Sequence, residues 1–110
     1  MQYTSTPAVS TFVRLDELRA LNLAAQRQHK GLTQIVEEAV DYWVTYTDQH
    51  GEFVPPPLPN PPRMGIQAVL SPAAAAALDR IRAGRYSRAV AMYTALRLWL
   101  ASEAGSAPPA

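Results

Sequence analysis

The chain has 110 residues, 48% of them hydrophobic and 17% charged, enough for one compact domain and too few for a large one. Cysteine is absent, which excludes a disulfide framework and a thiolate metal site; no apolar run approaches the roughly 18 residues of a membrane span, and the polar first ten residues carry no signal-peptide pattern, so a cytoplasmic protein without membrane contact is expected. Net charge is +1 but unevenly divided: residues 1–50 hold four Lys/Arg against six Asp/Glu (−2), and residues 51–110 hold six against three (+3).

Residues 1–10 read as a flexible arm. From Thr11 to Leu15 apolar and polar residues alternate, with Thr11, Val13 and Leu15 on one side and Phe12 and Arg14 on the other, the period of a short strand. Asp16 then suits a helix N-cap and Glu17 a first turn, near the positive end of the helix dipole. Leu18, Leu21 and Ala25 form an apolar stripe, supported by Leu23 and Ala24, on a first helix that runs to about Gln28. Gly31 breaks it, and Gly31 or Thr33 opens a second helix. There Ile35, Val36, Ala39, Val40, Trp43 and Val44 make a broad apolar face, with Glu37, Glu38 and Asp41 turned outward.

Six prolines fall within residues 55–62. Such a run favours extended polyproline II, spanning about 25 Å at roughly 3.1 Å per residue. A stiff tether between two units is the reading that fits; a ligand for a proline-binding domain is the alternative.

After the tether the same order returns. Ile66, Ala68 and Leu70 alternate with Gln67 and Val69. Ser71-Pro72 is a capping serine followed by proline at the first helical position. Residues 73–77 are all alanine, which favours helix and a close neighbour; Leu78 and Ile81 complete the stripe and Gly84 ends it. Ser87 caps a last helix bearing Ala91, Met92, Ala95, Leu96, Trp99 and Leu100, and the tail 104–110 is expected to be disordered. The repeat aligns Leu15-Asp16 with Leu70-Ser71 at an offset of 55, and Trp43 with Trp99 at 56. The expected organisation is an arm (1–10), a first unit (11–48), a proline-rich linker (49–64), a second unit (65–103) and a tail (104–110). A unit of roughly 35 residues buries no core alone, so each copy is expected to complete the other's.

Catalysis finds no support in these residues. His29 and His50 lie near turns with no acid or nucleophile at useful spacing, and Glu37-Glu38 point in different directions on a helix. Neither a cofactor nor a metal is expected, and the chain reads as a non-enzyme.

The strand-helix-helix order resembles the ribbon-helix-helix fold of Arc/MetJ-type DNA-binding proteins. The resemblance runs from about Thr11 to Trp43 and again from Gly65 to Trp99. It is carried by the alternating strands ending Leu15-Asp16 and Leu70-Ser71, the helix openings Gly31-Leu32-Thr33 and Tyr86-Ser87-Arg88, and the Ala-x-x-x-Trp cores Ala39 to Trp43 and Ala95 to Trp99. It implies a mainly α fold with a short two-stranded antiparallel ribbon, two units being fused in one chain as a pseudo-dimer.

The resemblance also implies double-stranded DNA as the partner, the ribbon lying in the major groove. Val13, Leu15, Ile66, Ala68 and Leu70 would then face the helices, while Phe12, Arg14, Gln67 and Val69 would face base edges. Lys30, Gly31, Thr33, Arg85, Ser87 and Arg88, at the openings of the second helices, would contact flanking phosphates. A transcriptional repressor or a plasmid or conjugation DNA-processing accessory is the expected role. The alternative is a protein-interaction module or antitoxin acting through a protein partner at the same locus. Strand pairing within one chain would give a monomer, and pairing between chains a homodimer.

Overall fold

The computed structural model describes residues 8–51, 56–82, 85 and 87–103, with the side chain of Ile81 outside that set. Residues 1–7 of the expected arm, Val54 and Pro55 of the proline run, Gly84, Tyr86 and the tail 104–110 therefore lie outside the described residues, as does the place of Ile81 on its stripe.

β1 spans Ala8–Val13 and buries Val9, Thr11 and Val13, leaving Ala8 and Ser10 exposed and Phe12 half-buried. The strand thus begins inside the expected arm and ends two residues before Leu15. Arg14 is the N-cap of α1 (Leu15–Gln28), and its N–H donates to Oε1 of Glu17 at 2.8 Å. That carboxylate, at the third helical position, satisfies a cap N–H that would otherwise be unpaired. It fixes the helix start ahead of Asp16, which sits in the first turn instead of capping it. Leu15 consequently rotates away from the core and is 48% exposed, so its expected inward role is corrected. Leu21, Ala24 and Ala25 are buried, but Leu23 is 53% exposed. Two residues on from Leu21 is about 200° around the helix, the opposite face.

α1 closes at His29, not Gly31. His29 takes the left-handed conformation (φ 54°), while Gln26 O accepts from the His29 N–H and Ala25 O from the Lys30 N–H, the pattern of a Schellman close. Gly31, with φ −78°, is the N-cap of α2 (Leu32–His50). α2 buries Ile35, Val36, Ala39, Val40, Trp43 and Tyr46. It ends at Gly51, where φ is 77° and the N–H donates to Thr47 O at 2.8 Å, a conformation that favours glycine. Leu58, within the proline-rich segment, packs on the core, so the segment is held to the body of the protein as well as joining its halves.

β2 (Met64–Val69) buries Ile66 and Ala68, followed by buried Leu70, and exposes Gln67 and Val69. α3 (Pro72–Arg82) opens as expected, with Ser71 Oγ accepting from the Ala74 N–H at 3.2 Å. α4 (Arg88–Glu103) opens likewise, Ser87 Oγ accepting from the Val90 N–H at 3.2 Å.

The described residues form four helices and a two-stranded antiparallel sheet in which β1 and β2 of the same chain pair. The register sets Ala8 against Val69, Ser10 against Gln67, Phe12 against Gly65 and Val13 against Met64. The inward face of this ribbon rests on the helices, α4 chiefly beneath β1 and α2 touching β2, and α2 packs against α4. Trp43 and Trp99 are buried at 2% and 5% exposure, as core packing at matched positions requires.

The two strand-helix-helix halves are nonetheless unequal. α4 is buried from Ala91 through Leu96 and again at Leu98 and Trp99, well beyond one stripe. Two polar groups enter the core with it and both are satisfied: Thr94 Oγ1 donates to Val90 O at 2.8 Å, and Tyr93 donates to Glu17. The repeat offset also changes. The helix starts Arg14 and Ser71 correspond at 57 positions, not 55, because the Leu15–Leu70 match paired an exposed helical leucine with a buried residue at a strand end. The second-helix caps Gly31 and Ser87 keep the offset of 56. From first-helix cap to second-helix cap the second half is therefore one residue shorter, 16 positions (Ser71 to Ser87) against 17 (Arg14 to Gly31), and α3 has 11 residues where α1 has 14.

Candidate nucleic-acid interface

A two-stranded ribbon has two faces, and among the described residues the helices cover one of them. With Val9, Thr11, Ile66 and Ala68 turned to the helices, the outer face carries the cross-strand pairs Ala8·Val69, Ser10·Gln67 and Phe12·Gly65. The polar pair is central and the apolar ones flank it. Ser10 and Gln67 are exposed, Val69 is 58% exposed, and Phe12 is half-buried.

Phe12 is half-buried because the Arg63 guanidinium covers its ring, 3.9 Å from the centroid. Opposite Phe12 stands Gly65, where a Cβ would lie 3.7 Å from Phe12 Cε1, an ordinary van der Waals contact, so the arrangement does not depend on the glycine. Arg63 also donates through Nη1 to Pro59 O at 3.2 Å, which ties the ribbon's outer face to the end of the linker.

Of the four residues expected to face bases, Phe12, Gln67 and Val69 share this face. Arg14 does not. It lies beyond the strand, where its guanidinium bonds Asp16 Oδ2 at 3.1 Å and approaches Glu17 Oε1 at 3.8 Å. Ser10 and Arg63 were not anticipated. Continuing the alternation back through Val9 would have found Ser10; the covering of Phe12 by Arg63 leaves no trace in the pattern.

The openings of the second helices differ from one another. Thr11 on the inner face of β1 donates its hydroxyl to Ala89 O at 2.6 Å, pinning the first turn of α4 beside the middle of the ribbon. Ala68, the corresponding residue of β2, has no hydroxyl to do the same for α2. At α2 the Gly31 N–H donates to Gln34 Oε1 at 3.0 Å, and Thr33 is exposed in the first turn. Lys30 beside them is engaged with Glu38 Oε2 at 2.6 Å and Gln28 Oε1 at 3.2 Å.

At α4, Ser87 is spent on its cap and Arg85 is exposed. Arg88 donates through Nε and Nη2 to the two oxygens of Asp79, at 2.9 and 2.7 Å. Arg82 adds a third bond to the same carboxylate at 2.8 Å. The Arg88 and Arg82 bonds together hold the Asp79 carboxyl at a pKa of about 2, below the usual 3.8. Arg88 is thus anchored to α3, with part of its guanidinium edge already occupied.

No helix among the described residues is long and apolar enough to cross a membrane. No protein-family model, curated protein or solved structure matches the chain.

Proposed function

We propose that the chain is a single-chain tandem ribbon-helix-helix protein, a pseudo-dimer that binds double-stranded DNA by laying its β1–β2 ribbon in the major groove. The observation that carries this reading is the pairing of Ser10 with Gln67. The helix starts that follow the strands lie 57 positions apart, so Ser10 and Gln67 are corresponding residues of the two copies. Two copies of a strand pair through corresponding residues only when a pseudo-twofold axis passes between them, as in a symmetric dimer. That axis leaves one ribbon face free with hydrogen-bonding side chains at its centre. An antiparallel ribbon has the width the major groove admits, and Gln can bond adenine through two groups there.

The N-termini of α2 and α4 would supply N–H groups to phosphates on either side of the groove. The role that follows is a transcriptional repressor or an accessory of plasmid or conjugative DNA processing, with no chemistry of its own. A second reading, action through a protein partner, draws on the exposed apolar residues Leu15, Leu23 and Val69, which base recognition does not all require.

Duplex DNA from around the protein's own gene and random duplex, each titrated at two salt concentrations, distinguish the readings. DNA reading predicts tighter binding to a specific site, and an affinity that falls steeply with salt. Absence of binding to either duplex at low salt would favour the protein partner.

A further inference from the structure

We infer that Arg63 is the ribbon's guanine reader, and that it makes the DNA site directional, with guanine required at the Phe12·Gly65 end alone. This rests on the DNA-binding reading above. Among the described residues, Arg63 is the cation held over the outer face of the ribbon. Its ring contact with Phe12 and its bond to Pro59 O restrain it from two sides.

A guanidinium that stacks on a ring uses its flat face, while its five N–H donors lie in the plane around the edge. Stacking therefore fixes the plane of Arg63 and leaves most of the edge available. A planar fork with free edge donors is the group that bonds guanine O6 and N7 together. Ordering a long side chain before binding also lowers the entropy lost on recognition.

The other end of the ribbon offers the opposite chemistry. Ala8·Val69 presents methyl groups, and Val69 is 58% exposed. Apolar contact of that kind suits a thymine methyl and carries no hydrogen bond. The two ends of the pseudo-symmetric ribbon are therefore chemically different, and the preferred site lacks a palindrome at its flanks.

Selection from a duplex library randomised across the binding site tests this, using the full chain and its Arg63→Lys and Arg63→Ala variants. The natural chain should select a guanine on one side of the centre only. Arg63→Lys keeps the charge and loses the fork. It should lower discrimination at that one base pair by roughly 5- to 150-fold, while affinity for random duplex and the salt slope stay near their original values. Arg63→Ala should lose the same preference and reduce the slope by about 1 as well. Thermal unfolding of each variant identifies any loss of fold. Unchanged selection by folded Arg63→Ala, or guanine selected symmetrically, overturns the assignment to Arg63 and leaves DNA reading intact. Selection of no sequence by the natural chain overturns both.

Discussion

The hydroxyl of Tyr93, buried on α4, lies 3.1 and 3.0 Å from the two carboxylate oxygens of Glu17 on α1, and donates to them. The same carboxylate accepts the Arg14 N–H that starts α1. In the second copy the corresponding N–H, that of Ser71, is met by a carboxylate from another helix, Glu37 on α2, at 3.3 Å. Each strand-to-helix corner is therefore closed by an acid, and at the first corner that acid also bonds Tyr93 on α4.

Replacing Tyr93 with Phe leaves the buried Glu17 carboxylate short of one donor at nearly constant shape. We expect a loss of about 1–3 kcal/mol, measured by urea unfolding near neutral pH. Tyr93 also titrates above the ordinary tyrosine value, through burial first and then its bond to Glu17. The fold thus favours the neutral phenol. Its contribution is complete below pH 10 and is lost as pH rises through the folded-state pKa. Above pH 10 the natural chain should lose stability more steeply than Tyr93→Phe; parallel curves would remove Tyr93 from the alkaline limb.

Asp79 acts at the other end of the scale. Its pKa is about 2 in the fold against an ordinary 3.8, so its ion pairs stabilise above about pH 4 and are lost as pH falls from there through 2. The side chain is 36% exposed, and solvent screening limits the effect to about 1 kcal/mol or less. Asp79→Asn should flatten the acid limb of the stability profile between pH 4 and 2. It should also release Arg88, raising affinity for random duplex and steepening its salt dependence, whereas Arg88→Ala should do the reverse. Salt slopes that move together in the two variants would exclude Arg88 as a phosphate contact.

The left-handed backbone at His29 yields a simpler prediction. A non-glycine residue in that conformation costs roughly 1–2 kcal/mol, and His29→Gly should recover about 1 kcal/mol of it. Gly31, by contrast, has an ordinary φ and nothing within 4 Å of a built Cβ. Gly31→Ser should be tolerated and stabilise by a few tenths of a kcal/mol as a better N-cap. Denaturation midpoints of the two variants check both. A loss at His29→Gly would mean that the imidazole contributes more than the strain it carries.

These residues mark what could be read along the chain and what could not. Ser71 and Ser87 cap as expected because capping is local, a side chain meeting an N–H three residues on. Gln67 and Val69 face outward because strand alternation is local too. The helix break went to Gly31 because glycine is the usual left-handed residue, yet Lys30 N–H and Ala25 O close the helix one turn around His29. Burial of Tyr93 and Leu98 exceeds any stripe on α4, since it depends on β1, α2 and α3 surrounding that helix. Arg63 stacking on Phe12 joins residues half the chain apart, and only the strand register brings them together.

The ribbon makes the last prediction. Ser10 and Gln67 stand opposite each other at the centre of the open face, while Arg14 lies past the strand end and is engaged with Asp16 and Glu17. Gln67→Ala should cost about 1–3 kcal/mol on the preferred duplex and much less on random duplex, relaxing selectivity at the central base pairs. Ser10→Ala should act in the same place with a smaller effect, having a single hydroxyl to lose. Arg14→Ala should leave selectivity unchanged, because the cap at α1 is made by the Arg14 backbone N–H, which alanine retains. Its cost in stability should be below about 1 kcal/mol, the upper range of solvent-exposed ion pairs. Competition titrations on both duplexes separate the outcomes. If Arg14→Ala relaxes selectivity while Gln67→Ala does not, bases are read from the strand-to-helix corner and not from the ribbon's open face.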